Sequence, residues 1–162
     1  MVITSIAAVI VVTAVIVSIL LYRRGHRHYD RMSFRETLDL TGLPIVTFRQ
    51  GGRKFNFILD TGAQNSLIDR NVLKEMKYTK LDGTTTGYGI DGITHTLDLV
   101  EVSLTYKGKT YDDTFRVLDM AASLGSLKRD YGVTVHGLLS SSFLERYRYV
   151  LSYNDLVAYS VV

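Results

Sequence analysis

The residues of this chain best suited to chemistry are Asp60, Thr61 and Gly62, a carboxylate, a hydroxyl and a glycine in direct succession. Phe55-Asn56-Phe57-Ile58-Leu59 ahead of them is apolar and aromatic and reads as a buried strand; Ser66-Leu67-Ile68 behind them reads as a second one. The first strand thus delivers a carboxylate to the interior, where an ionised Asp is costly unless paired, hydrogen-bonded or protonated. Chemistry that exploits such a group pairs two carboxylates so closely that they share a proton, one taking a proton from water and the other polarising a carbonyl.

The elements that must position this loop follow from the pattern around it. Residues 45–48 and 54–59 read as strands joined by a turn at Gln50-Gly51-Gly52-Arg53. Asp69 or Asn71 is placed to cap a short helix running to about Lys77. Leu81-Asp82-Gly83-Thr84 reads as a turn. Gly87-Tyr88-Gly89-Ile90-Asp91-Gly92 has the spacing Gly-x-Gly-x-x-Gly, but a dinucleotide fingerprint follows a strand and opens a helix, whereas 84–96 continues as strand. A glycine-bearing β-hairpin fits that stretch. Residues 97–106 and 110–118 form an antiparallel pair about Lys107-Gly108-Lys109, and 121–131 is expected to be a loop with a short helix. A strand is expected over 133–139, with Gly137 letting backbones approach closely. Ser141 or Ser142 then caps a helix over 143–147, and 149–151 with 156–159 close the chain as a hairpin.

Leu59-Asp60-Thr61-Gly62-Ala63, with Ser66 and Ile68 behind it, resembles the active-site loop of retropepsin-like aspartic proteases. Val135-His136-Gly137-Leu138-Leu139 stands where that family carries an apolar-apolar-Gly element, and the resemblance extends from about Thr41 to Val162. It implies a mostly β fold, a closed barrel or sandwich lobe with short helices, and the activity of an aspartic endopeptidase on a peptide or protein substrate. In that reading Asp60 is the catalytic carboxylate, Thr61 hydrogen-bonds across a two-fold axis, and Gly62 gives the turn its room. Ala63 lines the floor of the cleft, and the flap over the substrate includes Tyr88, Gly89, Ile90, Asp91 and Gly92. Gly137 and Leu138 are structural residues beside the site, and neither metal nor organic cofactor is implied.

One chain supplies one Asp-Thr-Gly; Asp82, Asp91, Asp98, Asp119 and Asp155 all lack the following Thr-Gly. The second carboxylate is therefore expected from a second copy in a symmetric homodimer. The family resemblance also leads one to expect a second glycine and an acid after Gly137, where this chain has Ser140 and Ser142, and an Asp before Tyr153, where it has Ser152. These departures keep open an alternative, a catalytically inactive retropepsin-like module for peptide binding or dimerisation.

From Val2 to Leu21 the chain is apolar apart from Thr4, Ser5, Thr13 and Ser18, long enough at ~1.5 Å per residue for a bilayer's ~30 Å hydrocarbon layer. The expected organisation is a transmembrane helix over 1–22, a basic juxtamembrane stalk over 23–40 and the protease domain over 41–162. Arg23, Arg24, Arg27 and Arg31 after the span predict a single-pass protein with its domain in the cytoplasm. The net charge of +3 resides mostly in this flank, so it gives no reason to expect nucleic acid as a partner. His26-x-His28 lacks the further ligands of a metal site, and without cysteines no disulfide framework exists.

Overall fold

The computed structural model describes residues 12–18, 31–88 and 94–162, with the side chains of Tyr88 and His95 outside the description. Among the described residues ten strands carry the fold: β1 (Met32–Ser33), β2 (Ile45–Gln50), β3 (Arg53–Asp60), β4 (Ser66–Asp69), β5 (Thr79–Tyr88), β6 (Thr94–Tyr106), β7 (Lys109–Leu118), β8 (Gly137–Ser140), β9 (Tyr149–Ser152) and β10 (Val157–Ser160). Seven form one sheet in the order β2-β3-β8-β4-β7-β6-β5, and pairing of Arg49 with Thr105 joins β2 back to β6, so the sheet closes on itself. The other three form a small sheet, β1-β10-β9.

Alternation along the strands fills the interior. Phe55, Phe57 and Leu59 of β3 point inward, as do Val46 and Phe48 of β2 and Tyr111, Phe115 and Val117 of β7. Phe48 is at the centre, edge-on to Phe57, Tyr111 and Phe143 with centroids 5.5–6.3 Å apart. Each such ring removed from water stabilises the fold by roughly 1.5–3 kcal/mol. Met32, Phe34 and Leu38, ahead of Thr41, belong to or pack against this same core. Met32 and Phe34 are buried in it, β1 pairs with β10, and the helix Arg35–Thr41 follows directly.

Several local expectations need correction. Residues 121–131 are not mainly loop but one continuous helix, Ala121–Tyr131, because Leu124 and Leu127, three apart on one face, pack with Ile45, Ile58, Val133 and Val135 in a second apolar cluster. The strand expected over 133–139 begins only at Gly137: the β-branched Val133 and Val135 serve this cluster instead of a ladder. Residues 81–84 lie inside β5 at a register shift between Lys80 and Thr84, not in a turn. Only the short 3₁₀ segment Val72–Glu75 forms near 69–77, and no side chain caps it.

The expectation of a single-pass membrane protein is overturned. Among the described residues no helix is long and apolar enough to cross a membrane. Of the apolar run 2–21, residues 12–18 are described and are helical; the rest of the run lies outside the described residues. The single-pass, cytoplasmic placement is withdrawn with that finding, and the expected span over 1–22, apart from residues 12–18, lies outside the described residues.

Candidate active site

The topology makes the site. Strands β3 and β4 are consecutive in the chain, yet β8 lies between them, parallel to β3 and antiparallel to β4. The loop 61–65 must therefore cross the end of β8. That insertion needs close backbone approach at the first residue of β8, and a Cβ built on Gly137 would land on the Leu67 carbonyl oxygen and 3.1 Å from Ile68 Cα. Gly137 pairs with both Phe57 and Ile68, so glycine is what lets three strands meet there. Leu138 sits between Ile58 and Leu67 in the same ladder, half-buried.

Asp60 is the last residue of β3, opposite Ser140. One carboxylate oxygen accepts the Gly62 N–H at 2.9 Å, a tight turn that fixes the side chain from its own loop. A side chain at Gly62 would crowd that oxygen at 3.3 Å. The interior position expected for Asp60 is corrected here: the chain leaves the sheet at this residue, so Asp60 is half-buried while Thr61 and Gly62 are exposed. Ala63 is half-buried, and its carbonyl accepts from both the N–H and the hydroxyl of Ser141, each at 2.9 Å. Ser142 donates its hydroxyl to the Gln64 carbonyl at 2.7 Å.

These serines are residues whose part sequence reasoning missed. The helix Ser141–Arg146 is capped by Ser140, whose side chain accepts from Phe143 N–H, not by Ser141 or Ser142 as expected. That frees Ser141 and Ser142 to hold the carbonyls of the 61–65 loop. Behind the loop lies a buried polar cluster. Ser66 donates its hydroxyl to Asp113 at 2.6 Å and lies 3.2 Å from the Ser140 hydroxyl, while its oxygen accepts the Ser140 N–H at 3.1 Å. Arg146 meets the other Asp113 oxygen at 3.1 Å. Burial pushes the Asp113 carboxyl above its ordinary range, and the Ser66 hydroxyl and Arg146 guanidinium oppose that rise. The run of three serines after an apolar strand was the available signal for them, and for Asp113 it was the alternation of β7, which puts it on the inward face with Tyr111, Phe115 and Val117.

Of the residues assigned to the flap, Gly89, Ile90, Asp91 and Gly92 lie outside the described residues, as does the side chain of Tyr88. The arms of that hairpin are paired up to Tyr88 opposite Thr94. Among the described residues no group of three or more acids, histidines or cysteines is arranged to hold a metal ion.

His136, next to Gly137, joins the two central strands. Its Nδ1 accepts the Asn56 N–H at 2.9 Å and its own N–H donates to the Asn56 carbonyl at 2.9 Å. The first bond requires an unprotonated Nδ1, and burial lowers the imidazole pKa below its ordinary 6.5. A lowered folded pKa means that this contribution to stability is complete above the unfolded value and is lost as pH falls through the folded one. Asp113 acts with the opposite sign: its raised folded pKa gives a contribution lost as pH rises through that value. Urea unfolding of the parent and of His136→Gln is therefore expected to converge as pH falls from about 7 to about 5, the parent losing about 1 kcal/mol more. Parallel stability curves over that range contradict the assignment.

A closed, mostly β lobe with a crossed loop presenting Asp-Thr-Gly defines an aspartic protease type of architecture. The family model for aspartyl protease matches residues 46–143, more than half of the chain. The chain belongs to the aspartyl protease family, in agreement with the retropepsin-like reading of its sequence. Among solved structures it is similar to the retroviral protease-like domain of Ddi1 from Leishmania major, at a TM-score of 0.45 and 9% identity over 74% of this chain and 94% of that one. No curated protein matches it significantly.

Proposed function

We propose that this chain is an aspartic endopeptidase that works as a homodimer, Asp60 of each protomer supplying one carboxylate of a shared dyad. The observation that carries the reading is the half-exposed Asp60 at the end of β3, fixed by Gly62 and followed by two exposed residues of its loop. A carboxylate so placed is held by its own loop yet partly exposed, which suits a site completed by a second copy. A water between the two carboxylates loses its proton to the ionised acid and attacks the scissile carbonyl, while the protonated acid donates toward the carbonyl oxygen. In this reading Thr61, exposed in the single chain, bonds across the two-fold axis, Gly62 gives the turn its room, and Ala63 lines the floor beneath the substrate. The substrate is an extended peptide held under the hairpin formed by β5 and β6, with Tyr88, Gly89, Ile90, Asp91 and Gly92 as its cover. No metal or organic cofactor takes part in this scheme.

Mixing experiments test the shared dyad. Specific activity is expected to fall on dilution through the dimer dissociation constant, and adding excess Asp60→Asn protein is expected to lower the activity of a fixed amount of parent by forming one-carboxylate dimers. A verified monomer that hydrolyses peptide at full rate, or a parent insensitive to the variant under conditions of subunit exchange, overturns the dimer reading.

A further inference from the structure

Strand register brings a row of half-buried residues together on the face of the main sheet opposite the core. Ile58 pairs with Leu138, Leu138 with Leu67, Leu67 with Arg116 and Arg116 with Leu99, one residue from each of β3, β8, β4, β7 and β6. Their sequence neighbours Phe57, Leu139, Ile68, Phe115 and Val100 face the core and are nearly inaccessible. Asp60 lies two residues beyond Ile58 on β3 and so presents its side chain to the same face as this row. At the Ile58 end the row is covered by residues of the helix Ala121–Tyr131. The opposite end, Leu99, lies on β6, one arm of the β5–β6 hairpin.

Arg116 is the one charged member of this row. Its guanidinium donates to the Thr86 carbonyl at 3.3 Å and lies 3.7 Å from where a Gly87 Cβ would stand, so it is held against the arm of the hairpin. Among the described residues it has no acidic partner. The nearby acid of β6, Asp98, is bridged to Lys80 instead. One hydrogen bond to a carbonyl leaves most of the guanidinium's five N–H donors free, and the fork geometry matches a carboxylate. A half-buried cation beside apolar side chains gains more from an incoming carboxylate than an exposed one does.

We infer that Arg116 is a specificity-determining residue that receives an acidic side chain of the peptide, so that the preferred substrates are peptides carrying Glu or Asp near the scissile bond. The inference rests on the protease reading above. Three strand spacings, about 14 Å, and two residues along β3, about 7 Å, separate Arg116 from Asp60, about 16 Å in all, which is the length of about five extended residues. The acid therefore falls within about five residues of the cleavage point, and a symmetric dimer presents one such position on each side of it.

Two measurements test this, one independent of catalysis. In the first, a peptide library is digested by the parent, Arg116→Leu and Arg116→Glu, and cleavage sites are aligned. The parent is expected to favour Glu or Asp over Gln or Asn by about ten-fold at a fixed position, the effect of one charge-assisted hydrogen bond. Arg116→Leu removes that ratio and Arg116→Glu turns it toward Lys and Arg. Equal acidic frequencies in all three proteins overturn the inference. In the second, fluorescence anisotropy compares Glu-containing peptides with their Gln counterparts on Asp60→Asn and on Asp60→Asn/Arg116→Leu proteins. A Glu preference present in the first and absent in the second supports the assignment even if the parent cleaves nothing, an outcome that would sink only the protease reading. Equal affinities for both peptides on the Asp60→Asn protein refute the role of Arg116, whatever the parent cleaves.

Discussion

Asp60→Asn is expected to lower kcat/KM for peptide hydrolysis by at least about 10³-fold, a loss of about 4 kcal/mol of transition-state stabilisation, with the fold unchanged. The chemical ground is that an amide neither takes a proton from water nor shares one with the opposing carboxylate. The structural ground is local. Asp60 is half-exposed, outside the core, and its carboxylate accepts the Gly62 N–H. An Asn side-chain oxygen accepts the same bond, so the loop keeps its turn. Initial rates on a cleaved peptide measure the effect, and thermal unfolding with peptide anisotropy confirms that fold and binding persist. Retention of more than about a tenth of the parent rate by a homogeneous Asp60→Asn protein removes Asp60 from the mechanism and directs attention to another base.

Gly137→Ala is expected to be the most damaging single-methyl change in the domain. The added Cβ meets the Leu67 carbonyl, which is backbone in the middle of a ladder and not the movable end of a side chain. Relief requires β8 to part from β4, and that breaks the pairing of Gly137 with Ile68 and of Leu138 with Leu67. Overpacking of a tight interior costs typically 1–3 kcal/mol; with ladder bonds lost as well, about 3 kcal/mol or more is expected. For a chain of this length that lowers Tm by roughly 10 °C. Gly125→Ala is the matched control. It lies within the helix Ala121–Tyr131 with nothing near its would-be Cβ, so it should stabilise the protein by up to about 1 kcal/mol. Equal thermal stability of the two variants means that β8 does not sit between β3 and β4 as described.

The Ser140–Ser142 run bears on the alternative reading of an inactive module. Where the family pattern led one to expect a glycine and an acid, this chain has Ser140 and Ser142; Ser140 caps the helix Ser141–Arg146, and Ser142 bonds the Gln64 carbonyl as Ser141 bonds that of Ala63. These bonds tie the 61–65 loop to the start of the last helix. The Ser66–Asp113 hydrogen bond and the Arg146 ion pair add a buried brace from β7 and the last helix. A loop held this way is a precondition for precise placement of a carboxylate, whichever function the site serves.

Most of the β framework was legible in the chain itself, since alternation of apolar and polar residues has period two and survives any tertiary arrangement. The hairpins about Gly51-Gly52, Lys107-Gly108 and Asn154-Asp155 followed from the same local chemistry, because turn residues act within four positions. The Asp-Thr-Gly loop and the close approach at Gly137 were readable because each depends on residue types that few other environments require. What the chain alone left undetermined depends on contacts distant in sequence. Helix 121–131 contains Ser123, Gly125 and Ser126, poor or neutral helix formers, and forms because Leu124 and Leu127 find partners on β2 and β3. The apolar run 2–21 had the composition of a membrane span, but among the described residues no helix is long and apolar enough to cross a membrane. Asp60 looked interior because it ends a buried strand; its half-exposure was decided by where the loop crosses β8. The row joining Asp60's face to Arg116 exists only through the registers of five strands, and no pattern in the sequence carries that information, since each register is chosen by the packing of the opposite face.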